Sequence, residues 1–449
     1  MKNKKILVLA KFYKGELNPF DGSALECALQ TGCQDITVLT MSSETALEPL
    51  KALTRLGVKA VLVSDKAYAG SDTLATSRVL CKAVKKINPD LIFCGRQSVD
   101  GDTAQVPIQL AKRLNFQLIS GVMKLDENSA LDRAGMRSTI ENRQVLAFEK
   151  AFTLRFPSIF SKIKDVEIWD NTLLQIPENE CGQKGSPTRV IKSYESTIGR
   201  RFCQFIPFSE LEKQIEKGLQ ESREERVYQG EKTKRVYYVG NVKALAENIG
   251  VNAVCLQGKS AEEIALQIQE KQAKIVLFSD EERTKRLASE VAVLLSAGLC
   301  ADCTGVRIEN GQFIMTRPAL GGNITADIVC DSKVAMATVR TRQKQGAEIV
   351  FGVGRGTLNA LSEIKKLAKK HNAEICCSRT VVDMNAMPYE CQVGLTGRTI
   401  APKVYVAFGI SGAVQHTCAI EGATKIIAVN HDKNARIFDY ADYGIIKEI

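Results

Sequence analysis

The chain has 449 residues, 45% of them hydrophobic and 25% charged, which is enough for two to four globular domains with ordinary apolar cores. Its net charge of +10 comes from scattered lysines and arginines, with few aromatic residues and no nucleic-acid-binding motif, so we expect no nucleic-acid partner. The apolar run at the N-terminus is too short for a signal peptide, and no run approaches the roughly 18 apolar residues of a membrane span, so we predict a cytoplasmic protein.

The first part of the chain alternates apolar strands with amphipathic helices. The predicted strands lie at 6–9, 36–39, 60–63 and 91–94, and the predicted helices lie near 23–29, 43–56, 73–84 and 103–114. This alternation indicates a parallel sheet covered on both faces. Residues 116–165 are richer in strand patterns, as expected of an excursion from that sheet.

Two further series of strands and helices follow. One has predicted strands at 236–239, 253–256 and 275–278, and the other at 348–352, 373–377, 404–408 and 425–429. A charged helical pattern occupies 209–225, and a polar, charged stretch follows it. We therefore predict an α/β fold of three doubly wound parallel-sheet modules: a first domain at 1–222, a linker at 223–235, a second domain at 236–345 and a C-terminal domain at 346–449.

Three helix starts in the first module carry polar side chains that suit a phosphate. Glycines, hydroxyls and backbone N–H groups at the carboxyl edge of a parallel sheet form the usual nucleotide cradle. The alternative for the third of these helices is that Asp102 or Thr103 only caps it, which is worth about 1 kcal/mol. The candidate residues are Asn18, Asp21, Thr73, Thr76, Gly95, Arg96, Asp102, Thr103 and Gln105.

Five polar clusters, four of which contain glycine, lie in the last hundred residues, at 352–356, 377–380, 392–398, 409–416 and 441–444. Spaced like successive turns of one open sheet, they predict a large phosphate-bearing cofactor. Arg317, before the glycines at 321–322, is a further candidate for closing over a flat cofactor, although a simple turn is the alternative. Alone, His416 reads as a structural histidine and Asp442 as a surface acid, but their neighbours favour a binding role.

Several kinds of catalytic site are missing from the sequence. There is no P-loop and no Gly-x-Ser-x-Gly elbow, so the clusters read as sites that hold a cofactor, without acid–base catalysis. Fourteen cysteines lack disulfide spacing, and three histidines exclude a histidine-rich metal centre. Cys300-x-x-Cys303 has no second pair and no nearby histidine, so we expect neither a metal nor a redox role for it.

Together these motifs resemble the electron transfer flavoproteins, with the β subunit first and the α subunit second in one chain. The β-like motifs are at 18–21, 72–77, 94–97, 100–106 and 185–188, and the α-like motifs are at 301–305, 316–323 and in the five C-terminal clusters. The resemblance implies that FAD binds in the C-terminal domain. Gly412, in the turn after the predicted strand 404–408, is one of the implied cofactor-binding residues. The residues implied to hold it are Arg355, Ser378, Arg379, Gln392, Thr396, Ser411, Gln415, His416, Asn430 and Asp442.

The β-like site in this family holds either AMP or, in electron-bifurcating members, a second FAD. The sequences of 72–77 and 100–106 resemble those of the bifurcating members. This resemblance implies electron transfer from NADH to a high-potential flavoprotein dehydrogenase and to a low-potential ferredoxin or flavodoxin. The alternative is a carrier with one FAD and one AMP, between an acyl-CoA dehydrogenase-type enzyme and a quinone reductase. A non-redox adenine-nucleotide sensor is a third reading.

Some features depart from the family pattern. The connection between the first strand and Asn18 is short, which bears on the NADH surface, and Val106-Pro107-Ile108 replaces the usual Val-Gly-Pro. Leu395 stands where glutamine is common, which removes one flavin contact. Residues 155–159 resemble the β-subunit loop that docks acyl-CoA dehydrogenases.

Overall fold

The computed structural model describes residues 1–195, 200–221, 230–319, 324–340, 347–394 and 397–448. The chain divides into two compact units. The first comprises 1–193, 229–320 and 326–339, and it contains two of the three predicted modules. The second comprises 194–228, 321–325 and 340–449.

The first module of the first unit is built from twelve strands and five helices among its described residues. The strands are β1 (Lys5–Leu9), β2 (Phe12–Tyr13), β3 (Glu16–Leu17), β4 (Asp35–Met41), β5 (Lys59–Val63), β6 (Leu91–Gly95), β7 (Gln117–Leu125), β8 (Ser129–Asp132), β9 (Arg137–Thr139), β10 (Gln144–Phe148), β11 (Glu167–Trp169) and β12 (Thr188–Glu195). The helices are α1 (Pro19–Gln30), α2 (Leu47–Thr54), α3 (Thr73–Ile87), α4 (Gln105–Leu114) and α5 (Asn171–Leu174).

Nine of these strands form one sheet in the order β11-β5-β4-β1-β6-β10-β7-β8-β9 within the described part of the chain. The pairings from β11 to β7 are parallel, and β8 and β9 extend the sheet with antiparallel pairings. These two strands lie in the strand-rich segment predicted at 116–165. Alternate residues of β1 enter different cores: Leu7 packs with α3 and α4 residues, and Ile6 packs with α1 and α2 residues. The sheet is therefore covered on both faces, which explains its continuous apolar strands.

The chain next contributes β13 (Gln204–Phe205) and α6 (Leu211–Gln220) to the second unit and then returns to the first unit. The strands of the second module are β14 (Thr233–Val239), β15 (Gly250–Cys255), β16 (Ile275–Ser279), β17 (Gly298–Cys303), β18 (Gly305–Glu309), β19 (Gln312–Ala319), β20 (Ile324–Cys330) and β21 (Ala335–Val339). Its helices are α7 (Lys243–Ile249), α8 (Ala261–Glu270) and α9 (Glu282–Leu295). Within the described residues, β15-β14-β16-β21-β17 form a parallel sheet, and β12-β20-β19-β18 form a smaller one.

The second unit is organised around one parallel sheet of order β13-β26-β25-β24-β22-β23 in the described residues. Its remaining strands are β22 (Ile349–Val353), β23 (Glu374–Cys377), β24 (Val404–Phe408), β25 (Lys425–Asn430) and β26 (Tyr443–Ile446). Its remaining helices are α10 (Leu361–Lys370), α11 (Arg379–Asp383) and α12 (Val414–Thr417). Short 3₁₀ helices lie at Glu44–Ala46, Lys66–Tyr68, Glu178–Glu180, Phe208–Glu210, Arg355–Ala360, Tyr389–Cys391 and Arg436–Tyr440.

The predicted α/β class and the three parallel sheets are confirmed, but two details differ. The predicted helix at 43–56 is a 3₁₀ turn followed by α2. The sequence placed 200–221 in the first domain, whereas the structure packs this segment on the C-terminal sheet. Leu211 and Ile215 of α6 enter the core of that sheet, and their burial favours this placement. Residues 223–229 of the predicted linker lie outside the described residues, and β14 begins at Thr233.

Candidate functional site

A cavity of about 530 Å³ lies inside the first unit, at the carboxyl ends of β1 and β6. Both modules line it, since Leu299, Cys300, Ala301 and Arg317 of the second module face residues of the first. Its volume falls within the range of small-molecule sites, roughly 300–1,000 Å³. Most candidates from the first module line this cavity: Asn18, Asp21, Thr73, Thr76, Gly95, Arg96, Thr103 and Gln105.

The start of α3 forms one wall of the cavity. The Asp72 carboxylate caps the helix by accepting a hydrogen bond from Ala75 N at 3.0 Å. The Thr73 hydroxyl is therefore not needed as the cap, and Thr73 lines the cavity. Thr73 Oγ1 donates to Gln105 Oε1 at 2.5 Å, and Gln105 Nε2 donates to the Leu299 carbonyl at 3.2 Å. This chain of hydrogen bonds links α3, α4 and β17 around one site.

The buried Asp21 carboxylate connects two strand ends. Its oxygens accept hydrogen bonds from Lys11 N at 2.8 Å and from Gly95 N at 2.7 Å. Burial raises the pKa of Asp21 to about 6, and the hydrogen bonds oppose that rise. Asp21 therefore positions the turns after β1 and β6 around the cavity.

Arg96 is held in the cavity wall by a buried ion pair. Its Nε donates to Glu149 Oε1 at 2.6 Å, and Arg133 Nη1 donates to the same carboxylate oxygen at 3.1 Å. Both Arg96 and Glu149 are more than nine-tenths buried. The sequence analysis did not identify Glu149, although an acid directly after the five buried residues of β10 is the signal that marks it.

Arg317 reaches the cavity from β19. Its Nη2 donates to the Gly101 carbonyl at 2.6 Å, which ties the second module to the loop before α4. The glycines at 321–322 predicted to act with it lie outside the described residues.

Asp102 and Thr103 do not cap α4, because the N-cap residue is Ala104. The Asp102 side chain accepts from Gln97 Nε2 at 3.1 Å and does not line the cavity, so its predicted place in the site is not supported.

Within the described part of the chain, three buried polar atoms of cavity-lining residues have no hydrogen-bond partner: Asn18 Oδ1, Arg96 Nη2 and Arg317 Nε. Leaving buried polar groups unpaired is costly, on the order of 1–3 kcal/mol each. Two guanidinium groups, together with an amide at the start of α1, match the donors and acceptors of an anionic nucleotide. The residues present therefore fit a phosphate-bearing ligand.

A second cluster lies at the carboxyl edge of the C-terminal sheet. Because β22, β23, β24 and β25 are parallel, their ends bring together Arg355, Ser378, Arg379, Ser411 and Asn430. The Arg355, Ser411 and Gln415 side chains are exposed. Exposed cationic, hydroxyl and amide side chains around tight glycine turns fit the polar parts of a dinucleotide cofactor.

The turn after β24 depends on local hydrogen bonds. Asn430 Nδ2 donates to the Ile410 carbonyl at 2.9 Å, and Asn430 Oδ1 accepts from Asp432 N at 3.0 Å. Gly412 has a φ of 84°, and a side chain there would collide with the backbone of Ile437. In this structure Asn430 therefore acts by shaping the loop that presents Ser411.

His416 is buried, and both its ring nitrogens are engaged. Nδ1 is 3.0 Å from the Val393 carbonyl, which can only accept, so Nδ1 carries the proton. Nε2, 2.8 Å from the Tyr405 hydroxyl, then accepts from it. Burial lowers the pKa of His416 to about 4, so the ring is neutral near pH 7. Tyr405 was not identified from the sequence, although a tyrosine inside a fully buried strand indicates a hydroxyl in need of a partner.

Asp442 lies at the opposite edge of the C-terminal sheet. It precedes β26 and accepts hydrogen bonds from Ile426 N at 2.7 Å and from Arg201 Nη1 at 2.5 Å. In a parallel sheet the amino and carboxyl ends of the strands lie at opposite edges, so the fold does not bring Asp442 to the cluster around Arg355. Its contact with FAD stays a prediction. Gln392 is buried beside the end of β23, and Thr396 lies outside the described residues.

The buried neutral His416 predicts a pH-dependent stability. Since its folded pKa is about 4, below the ordinary value of 6.5, the folded state binds fewer protons between these values. Stability is then full above pH 6.5 and falls by up to about 3 kcal/mol as the pH drops towards 4. We expect His416→Gln to flatten this slope in urea unfolding measured from pH 7 to 4. The exposed His431, changed to Gln, is the matched control, and an equal slope in the His416 variant and the wild type would contradict the assignment.

Other site classes find no support in the described residues. No group of three or more histidine, cysteine or acidic side chains is placed there to hold a metal ion. None of the described helices has the length and apolar character needed to cross a membrane.

Two protein-family models match the chain. The model described as "Electron transfer flavoprotein domain" matches residues 6–151 and 252–349. Most of these residues lie in the two modules of the first unit, and residues 321–325 and 340–349 belong to the second unit. The model described as "Electron transfer flavoprotein FAD-binding domain" matches residues 344–421, which include the cluster around Arg355 and His416.

Individual relatives agree with both matches. The chain is 33% identical over 227 residues to the electron transfer flavoprotein subunit alpha of Thermoanaerobacterium thermosaccharolyticum, covering 40% of this chain and 69% of that protein. It is 36% identical over 193 residues to the subunit beta of the same organism, covering 39% and 74%. It is 31% identical over 256 residues to the acryloyl-CoA reductase electron transfer subunit beta of Anaerotignum propionicum, covering 40% and 70%.

Some other relatives are matched over only 60–63% of their own length. Alpha-type and beta-type subunits are each matched by about two fifths of this chain. Because the family models together match more than half of its residues, the chain belongs to the electron transfer flavoprotein family.

Proposed function

We propose that this chain fuses the β-type and α-type subunits and bifurcates electrons. It binds FAD at the carboxyl edge of the C-terminal sheet and a second FAD in the cavity of the first unit. NADH is the electron donor, a flavoprotein dehydrogenase is the high-potential acceptor, and ferredoxin or flavodoxin is the low-potential acceptor. The observation that carries the second site is the set of unpaired buried polar atoms of Asn18, Arg96 and Arg317 around one cavity.

In the cavity, the protein groups bind and orient an anionic ligand. The Arg96 and Arg317 guanidinium groups supply fixed positive charge, and each is held by a protein acceptor, Glu149 and the Gly101 carbonyl respectively. The Thr76 hydroxyl adds a further hydrogen-bond donor at the start of α3. Such pre-oriented donors favour phosphate groups over neutral ligands.

In the C-terminal site, exposed Arg355 and Ser411 contact the cofactor, and buried His416 and Asn430 shape the loops beneath them. FAD supplies one-electron and two-electron transfer when it is bound. A neutral His416 adds no third positive charge at this edge, so Arg355 and Arg379 set the local field.

An exposed apolar loop supports the proposal that this protein docks a flavoprotein partner. Phe156 and Ile159, in the segment that resembles the dehydrogenase-docking loop, are more than four-fifths exposed, and so is Phe160 directly after it. The loop is anchored, because Arg155 pairs with Glu26 at 2.7 Å and Lys164 N donates to Thr54 Oγ1 at 2.9 Å. Exposed aromatic and aliphatic side chains on a fixed loop are typical of an interaction site. The relative named as an electron transfer subunit of acryloyl-CoA reductase supports the same class of partner.

The alternative is a carrier with one FAD and one AMP that moves electrons from an acyl-CoA dehydrogenase-type enzyme to a quinone reductase. The cavity volume of about 530 Å³ favours this alternative, because a mononucleotide needs much less space than FAD. It does not use NADH.

The nucleotide content of the purified protein distinguishes the two. We expect acid precipitation and chromatography to release two FAD per chain and no AMP, and NADH to bleach the flavin absorption. One FAD with one AMP, or no response to NADH, would reject bifurcation. Arg317→Met should lower the nucleotide retained in the cavity about tenfold or more, without loss of the C-terminal FAD. Arg283→Met, at an exposed arginine of the same module, is the control.

A further inference from the structure

The pair Cys300 and Cys303, which the sequence analysis set aside, lies at the wall of the cavity. Cys300 lines the cavity, and Cys303 is fully buried behind it at the end of β17. Cys303 Sγ donates to the Cys300 carbonyl at 3.5 Å, and the Cys303 thiol also lowers the pKa of the Cys300 thiol. The Cys303 side chain is therefore turned towards Cys300.

The backbone between the two cysteines is shortened by a bulge. Cys300 pairs with Ala337 and Cys303 with Val339 on β21, so three residues of β17 span two residues of its neighbour. Two strand residues span about 6.6 Å, whereas three extended residues span about 10 Å. A disulfide requires Cα atoms roughly 4.4–6.8 Å apart, so the bulge brings the pair within bonding reach.

The surroundings of Cys300 favour its thiolate. The hydrogen bond from Cys303 and the positive charge of Arg317 lower the pKa of Cys300, and burial opposes them. The Asp302 carboxylate between the cysteines pairs with Lys285 Nζ at 3.4 Å, which offsets its negative charge. Exposed Lys11 and Gly70 border the same cavity, so a small solute can enter it and reach Cys300.

We propose that Cys300 and Cys303 form a redox-active dithiol that closes to a disulfide in the wall of the cavity. The oxidant is a low-molecular-weight disulfide. The Cys300 thiolate attacks one sulfur of that disulfide, which forms a mixed disulfide and releases one thiolate. Cys303 then loses its proton and attacks Cys300, which closes the internal disulfide and releases the second thiol. Two protein thiols are oxidised, and one external disulfide is reduced to two thiols.

Cys94 provides an internal control. It lines the same cavity and is also buried, but burial and the neighbouring Asp21 carboxylate raise its pKa well above the ordinary value. A reagent that enters the cavity therefore meets both Cys94 and Cys300, and only Cys300 has a thiol in bonding reach and a lowered pKa.

Tryptic peptides report separately on the Cys300–Cys303 pair and on Cys94. The peptide 287–307 contains Cys300 and Cys303 and no other cysteine, and the peptide 87–96 contains Cys94 alone. The protein is reduced, equilibrated anaerobically with mixtures of reduced and oxidised glutathione, quenched with acid, alkylated with N-ethylmaleimide and digested. The experiment is run as purified and after removal of bound nucleotide, because a ligand in the cavity covers Cys300.

In at least one of the two preparations we expect peptide 287–307 to lose both labels and to become two hydrogens lighter, with labelling at least about tenfold below that of the Cys94 peptide. Cys303→Ser should retain glutathione on Cys300, and Cys300→Ser should leave Cys303 reduced. Full labelling of both cysteines in both preparations under excess oxidised glutathione would overturn the proposal. So would a wild-type protein that stops at the mixed disulfide. The wild-type result decides the matter even if a variant folds poorly.

Discussion

Gly354→Ala is expected to destabilise the second unit by about 4 kcal/mol or more and to abolish retention of FAD. A β-carbon on Gly354 would lie 2.1 Å from the Gly409 carbonyl oxygen and 2.5 Å from its carbon. Both are backbone atoms, and Gly354 N donates to the Phe408 carbonyl at 2.7 Å, so the turns after β22 and β24 cannot separate without losing that bond. The effect is steric, because the φ of Gly354 is −100° and suits any residue.

Gly356→Ala is the matched control in the same turn. Its nearest atom, the Gly409 carbonyl oxygen, would lie 3.5 Å from the new β-carbon, which is ordinary contact. Urea unfolding and the flavin absorbance of the purified variants measure the difference. If the Gly354 variant matched the Gly356 variant in stability and flavin content, the close approach of these two turns would not hold in the protein.

Glu149→Ala is expected to destabilise the first unit by about 3–5 kcal/mol, because it leaves Arg96 and Arg133 without their buried counterion. Arg96 Nε and Arg133 Nη1 both donate to Glu149 Oε1, and Arg96 is more than nine-tenths buried. The same change frees Arg96 to move, so nucleotide affinity in the cavity falls as well. Urea unfolding and nucleotide content measure the two effects.

A double variant separates the effect of losing the ion pair from the effect of losing packing. Arg96→Met with Glu149→Leu removes both charges and keeps apolar volume, so we expect it to be more stable than Glu149→Ala alone. Glu141→Ala, at an exposed glutamate just before β10, should change stability by less than about 0.5 kcal/mol. A Glu149→Ala variant as stable as the Glu141→Ala variant would show that the buried pair contributes nothing.

The local sequence predicted most of the parallel strands, because buried strands read as continuous apolar runs. The prediction of 404–408 agrees with β24, and the prediction of 91–94 misses only the last residue of β6. The predicted start of the helix at residue 103 was two residues early, because Ala104 takes the left-handed N-cap position of α4 and no local signal marks it. Asp442 was misplaced because a glycine cluster does not show which end of a strand it flanks.

By itself, the sequence determined the α/β class, the three sheets and the motif set of the family, since these depend on short-range hydrophobic period and on glycine-containing turns. Only the tertiary structure decided that Arg317, Leu299 and Cys300 complete a cavity begun by residues of the first module. It also decided that α6 packs on the C-terminal sheet, that His416 is neutral, and that the Cys303 thiol donates to the Cys300 carbonyl. The burial of side chains, their hydrogen-bond pairing and the strand bulges arise where segments far apart in the chain meet. The sequence pattern of one segment does not show which other segment will pack against it.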